Sequence, residues 1–460
     1  MITDLTTGSA YKKLVKLSLP MMLSIVFQQL YNIVDSIIVG RFVSTDALAA
    51  VGASYSITMI FMAIATGSAI GITVVVSRFF GSKQYAKLKT AVWTAFISVS
   101  VLAIVLSIAG AIASPFAMRA LDTPAQYIDD SIEYLQIYFY GLIGVYVYNV
   151  CTGAFNGLGD ANTTLYFLIF SSIANVVLDL LFVCQLNMGV AGAAWATFIS
   201  QMMAAVLSVF VMIKRLRTLK CDTVPPKFSS AMLKEISLIA VPSIIQHSFV
   251  SVGNLFVQKR VNYFGADVAA AYTAAIKVNT FAIQCFLAIS NAMSSYSAQN
   301  LAAGRIDRVK KGFRAGNLIL LIIALPFAVA FFFFGDKLVS MFADSSTSDN
   351  IDAVIKIGSR FLKIVSPFYL LIGIKLISDG INRGAAKMYA FMSSTFTDLV
   401  LRVVFAYILS ANVFGLGETG IWLSWPIGWI CSILISTIFY YRGNWQSSAI
   451  MPKTLVSKEE

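Results

Sequence analysis

Twelve runs of mostly apolar residues, each cut short by a polar stretch, decide what this chain can fold into. A run of about 20 such residues is what an α-helix needs to cross the hydrocarbon of a bilayer. They lie near 14–39, 47–77, 91–114, 131–154, 163–185 and 190–213, then near 236–258, 268–298, 313–334, 364–382, 388–410 and 419–441. A helix keeps its backbone hydrogen bonds within itself, so each run is predicted to be a membrane-spanning helix. Of 460 residues 58% are hydrophobic and only 12% charged, where a soluble protein carries about 25% charged. No water-soluble packing hides that much apolar surface. The expected fold class is an all-α polytopic membrane protein with twelve transmembrane helices.

The net charge of +12 does not indicate a nucleic-acid partner, because the basic residues sit in short clusters between the runs. Alternate breaks carry Arg78, Lys83, Lys87 and Lys89; Lys214, Arg215, Arg217, Lys220, Lys227 and Lys234; and Arg305, Arg308, Lys310, Lys311 and Arg314. Arg383, Lys387, Arg442 and Lys453 fall on the same side. The other breaks hold Asp122, Asp129, Asp130, Asp336, Asp344, Asp349 and Asp352. Basic loops stay in the cytoplasm, so both termini are expected there, in a multi-pass protein of the inner (cytoplasmic) membrane. The first run, behind Lys12, Lys13 and Lys16, is too long for a cleaved signal and contains Asp35, so it is expected to be a retained span. Five cysteines without CxxC spacing are expected to be packing residues.

The longest polar break divides the chain into a lobe over 1–220, a cytoplasmic linker over 221–235, a second lobe over 236–445 and a tail over 446–460. The lobes resemble each other. Pro20 matches Pro242, and "GRFVSTDALAA" (40–50) matches "VNYFGADVAAA" (261–271) at a shift of 221. "NGLGDANTTLYF" (156–167) matches "DGINRGAAKMYAF" (379–391) at 223, pairing Gly157 with Gly380. Six spans per copy insert both copies the same way up, giving two pseudo-symmetric six-helix bundles as parallel repeats, an arrangement suited to alternating access.

Ionisable groups at membrane depth cost about 2.5–3.5 kcal/mol each, so each marks a candidate functional position. Asp35 lies in the middle of the first span and Asp179 in the fifth, with Asn175 one turn before it on the same face. Thr197 lies in the sixth, beside the small-residue run "GVAGAAWAT". If the two carboxyls converge, they hold a proton, or a Na⁺ ion helped by amide and hydroxyl oxygens. The plainer alternative, that Asp179 only hydrogen-bonds Asn175 or nearby backbone, stays open. At the shift of 223, Asp398 and Arg402 take the places of Asn175 and Asp179 and are spaced to form a structural ion pair. Lys277 and Lys375 read as further buried cations, making the second lobe substrate-facing rather than cation-binding. Gln28, Tyr31, Tyr140, Asn254 and Gln284 are candidates for the substrate cavity with those lysines, and Asn149 for the cation site.

The segments "LSLPMMLSIVFQQLYNIVDSIIVGRF", "FNGLGDANTTLY", "SSIANVVLDLLF", "GVAGAAWAT" and "SDGINRGAAKMY", in this order and spacing, resemble those of the multidrug and toxic compound extrusion (MATE) family, and within it the DinF-like branch. The resemblance covers nearly the whole chain. It implies a V-shaped pair of six-helix lobes and antiport of small cationic or amphiphilic compounds against H⁺ or Na⁺, with no other cofactor. It assigns the ion site to Asp35, Asn175, Asp179 and Thr197, with Asn149 at a fourth-span position. The chain departs from the NorM-like branch: that branch has carboxylates in its seventh and tenth spans, whereas here Asn254 and Lys375 stand there and Asp379 lies at a span end. The expected partners are small organic molecules and lipid, with the protein a monomer. A lipid-linked precursor flippase of the same superfamily is the near alternative, and a membrane receptor or assembly factor the distant one. There is no GxSxG, HExxH or P-loop and a single histidine, His247, so an enzyme is not expected.

Overall fold

A computed structural model describes residues 2–221, 223–342 and 350–449. Asp344, Asp349, Lys453 and the tail from 450 onward lie outside the described residues. Twelve helices of membrane length follow one another: α1 (Ala10–Phe42), α2 (Thr45–Gly81), α3 (Tyr85–Ala120), α4 (Ile128–Gly157), α5 (Ala161–Gln185), α6 (Gly189–Thr218), α7 (Ser230–Asn262), α8 (Ala266–Ala302), α9 (Ile306–Ser340), α10 (Ile351–Gly384), α11 (Met388–Leu409) and α12 (Glu418–Tyr441). No strand occurs among the described residues. α10 starts 13 residues before the expected span. Its first part carries Asp352, Lys356, Arg360 and Lys363 on an amphipathic helix, and a single 3-10 turn over Ser366–Phe368 joins it to the rest.

Packing divides the chain into two units, one of the residues up to Asp4 with Pro20–Ile244, the other of Leu5–Leu19 with the chain from Ile245 on. The borders fall inside α1 and α7 rather than in the polar break. In the first unit the start of α7 lies backbone to backbone on α2: a Cβ on Gly67 would sit 2.8 Å from the Ile244 nitrogen, and one on Gly71 2.9 Å from the Ile236 carbonyl oxygen. Arg78 adds an ion pair to Glu235 at 2.8 Å. In the second unit, Leu5–Gly8 is clamped by the α8–α9 hairpin: Arg305 donates to the Thr6 carbonyl at 2.7 Å, and Arg308 to the Gly8 and Leu5 carbonyls at 2.8 and 3.0 Å.

The internal repeat has a physical basis in close helix contacts. On α4, Gly153 and Gly157 face the Ala69 and Thr73 carbonyls of α2, and a Cβ would come within 2.5 and 2.9 Å of those oxygens. On α10, Gly380 and Gly384 face the Ser290 and Ser294 carbonyls of α8 in the same way. Both helices end in the same three-bond turn with one left-handed residue, Gly159 (φ 71°) and Ala386 (φ 57°). Gly153 therefore corresponds to Gly380 and Gly157 to Gly384, a shift of 227 rather than 223. That register corrects the sequence expectation: Arg402 stands at the place of Asn175, and Ala406 at that of Asp179.

Candidate functional site: a carboxyl pair in the first unit

Three helices of the first unit bring the predicted cation-site residues together. The carboxyls of Asp35 on α1 and Asp179 on α5 lie within hydrogen-bonding reach of each other. Asp179 is fully buried, Asp35 half-buried, and Oδ1 of each has no hydrogen-bond partner. Neither pairs with a basic side chain among the described residues. Two carboxyls hydrogen-bond each other only when one holds a proton.

Asn175 joins this pair to α6. With its amide turned to satisfy its surroundings, the nitrogen donates to Asp179 Oδ2 at 2.7 Å. Its oxygen accepts from the Thr197 backbone nitrogen at 3.2 Å and from Thr197 Oγ1 at 3.3 Å. The Tyr31 hydroxyl lies 3.5 Å from Thr197 Oγ1. One turn along each helix, Ile38, Val39, Val183, Val190 and Ala193 pack into a buried apolar cluster. It closes one side of the polar site and raises the electrostatic stakes inside it.

The local backbone also singles out Asp179. α5 is α-helical only to Asp179, and its last six residues, Leu180–Gln185, are wound as a π-helix. Such widened turns inside helices concentrate at functional sites. Here the change of winding falls directly after the carboxylate. Sequence reasoning missed this, and it missed Tyr134 and Tyr138. Tyr134 stands in the electrostatic field of both carboxyls. With Tyr138, Gly141 and Val145 it lines a small cavity against Thr197, Phe198 and Gln201. The spacing of those four residues, 134, 138, 141 and 145, was a legible helical stripe.

Asn149 donates to the Val145 carbonyl of its own helix at 2.9 Å. Gln28 donates to Asn32 at 3.3 Å. Tyr140, Asn254, Lys277 and Gln284 are exposed on their units, so Lys277 is not the buried cation expected. Lys375 is buried, and its ammonium pairs with Asp379 at 2.9 Å and donates to Thr395 at 3.4 Å. Asp379 also accepts from Ser394 (2.8 Å) and Ser436 (2.7 Å). Asp398 and Arg402 form an ion pair at 2.6 Å, with the guanidinium 4.0 Å above the Trp425 ring.

The chain is similar to known proteins along its length. The MatE family model matches residues 20–181 and 242–408, two copies whose ends are 227 positions apart, as in the turn register. The probable multidrug resistance protein YpnP of Bacillus subtilis is 28% identical over 96% of this chain and 98% of its own. The probable multidrug resistance protein NorM of Thermotoga maritima is 24% identical over 97% and 96%. The solved structure of a MOP superfamily transporter from Pyrococcus furiosus superposes with a TM-score of 0.88, at 23% identity over 97% of this chain and 98% of that one. With two matched segments that fill most of twelve membrane-length helices, the chain belongs to the MatE family, a family of multidrug transporters rather than enzymes.

Proposed function

We propose that the protein is a proton-coupled exporter of small amphiphilic organic compounds, working by alternating access in the cytoplasmic membrane with both termini inside. The observation that carries this reading is the meeting of Asp35 and Asp179 with no basic partner at membrane depth. A bare pair of carboxylates is unstable there; one proton between them removes that cost, and losing the proton restores it. Binding and release of a proton therefore change the energy of the site sharply, which is what coupling needs.

The arrangement favours a proton over Na⁺. A metal ion needs several convergent oxygens. The acidic oxygens that meet here are those of Asp35 and Asp179, and Asn175 is engaged by Thr197 in either orientation of its amide. Relatives named as multidrug resistance proteins support the substrate class.

Reconstituted full-length protein tests the reading. Ethidium transport in liposomes is expected under an imposed pH difference with Na⁺ absent, and not in Asp35→Asn. Transport driven only by a Na⁺ gradient, or full transport by Asp35→Asn, overturns it.

A further inference from the structure

The interiors of the two units have opposite charge. The first holds two carboxyls with no cation beside them. Among the described residues, the second holds Lys375, Arg383 and Arg402 buried against Asp379 and Asp398. Arg402 is paired with Asp398, and the Asp379 carboxylate is taken by Lys375, Ser394 and Ser436. Arg383 makes no ion pair of its own among the described residues, although Asp379, one turn before it, acts on its charge from a distance. Its side chain is buried, with 5% of the residue exposed, and no described carboxylate pairs with it.

What Arg383 touches instead is neutral. One nitrogen donates to Asn291 Oδ1 on α8 at 2.8 Å and to Ser290 Oγ at 3.4 Å, while Nε has no partner. Its guanidinium lies 5.4 Å from the centre of the Phe391 ring. His247 on α7 lies within its electrostatic field. The ring and the dipole at the end of α10 offset part of the charge, which lets the guanidinium stay folded in. They do not supply the two parallel acceptors that a guanidinium fork fits best. Asn291, its strongest partner, is exposed. A carboxamide carbonyl is a weak stand-in for a carboxylate, and this one can be displaced from outside the bundle.

We infer that Arg383, flanked by Asn291 and Ser290, is a binding site for an anionic group, a carboxylate or phosphate, carried by the transported compound. Amphiphiles with an acidic group are then favoured over matched compounds that lack one, without excluding organic cations such as ethidium. The incoming oxygens replace Asn291 Oδ1 on the guanidinium and occupy the free Nε. This inference rests on the proposed transport of amphiphiles, but it concerns recognition in the second unit and not proton coupling in the first.

Equilibrium binding of two matched dyes to the full-length protein in phospholipid-free detergent tests it. Rhodamine B carries a free carboxylate, and in its ethyl ester that group is masked. The wild type is expected to favour the acid over the ester by about tenfold or more, the scale of hydrogen bonds to a charged group. In Arg383→Gln that preference is expected to fall to about one. Asn291→Asp, which gives Arg383 a carboxylate from within the chain, is expected to remove the preference while keeping or raising thermal stability. Equal binding of acid and ester by the wild type, or an undiminished preference in both variants, overturns the inference. So does loss of the preference on adding short-chain phosphatidylglycerol while ethyl ester binding persists, which assigns the site to a lipid headgroup. Because no gradient is involved, the outcome is independent of whether ethidium transport proves to be proton-driven.

Discussion

Replacing Lys375 by methionine isolates the energetics of the second unit's interior. The change removes an ammonium 2.9 Å from Asp379 and keeps most of the side-chain volume. Asp379 is then a carboxylate with 2% of the residue exposed, held by the Ser394 and Ser436 hydroxyls alone. Removing one partner of a buried ion pair costs about 3–5 kcal/mol. The two hydroxyl bonds, present in both forms, soften the loss of the ammonium, so a destabilisation near the lower end, about 3 kcal/mol, is expected. Adding Asp379→Asn removes the stranded charge while retaining an oxygen for the two hydroxyls. The double variant is expected to lie within about 1 kcal/mol of wild type, because a neutral replacement of a buried pair is often close to isoenergetic. Unfolding by sodium dodecyl sulfate titration in mixed micelles, followed by tryptophan fluorescence, measures both. A single variant as stable as wild type, or a double variant no better than the single, refutes the assignment of Lys375 and Asp379 as one buried pair.

Two other substitutions probe the repeat. Ala386 holds a left-handed conformation (φ 57°) where its counterpart in the first unit is Gly159, so Ala386→Gly is expected to stabilise the second unit by up to about 1 kcal/mol in the same titration. Gly380→Val drives a branched side chain into the Ser290 carbonyl, which already stands 2.6 Å from the position of a Cβ. A loss of at least 1–3 kcal/mol is expected, about the cost of overpacking, seen as a lower midpoint or lost membrane insertion.

The spans were legible because the bilayer demands length and apolarity together, and few other folds give that pattern. The start of α10 was not, since Asp352, Lys356, Arg360 and Lys363 break the apolar run without breaking the helix. Asp35 and Asp179 stood out because an ionisable group in an apolar run needs a reason to be there. Asn175, four residues before Asp179, followed from helical spacing alone. Pairing was harder to see. Lys375 and Asp379 are also four apart, but an acid at a span's end has that spacing whether it pairs or faces solvent, and only the structure shows the pair. The π-wound turn after Asp179 has no compositional signal in "LLFVCQ". The repeat register slipped by one turn because small residues recur every four positions in these helices, and only the turn's hydrogen bonds distinguish one glycine from the next.

The most direct test of the central claim is whether substrate binding displaces a proton from the carboxyl pair. Purified protein in weakly buffered detergent, mixed with ethidium beside a pH-sensitive dye, reports this without any membrane or gradient. Wild type is expected to acidify the solution on binding, and Asp35→Asn to bind without acidifying it. No acidification by wild type that binds ethidium, or equal acidification by the variant, contradicts the account.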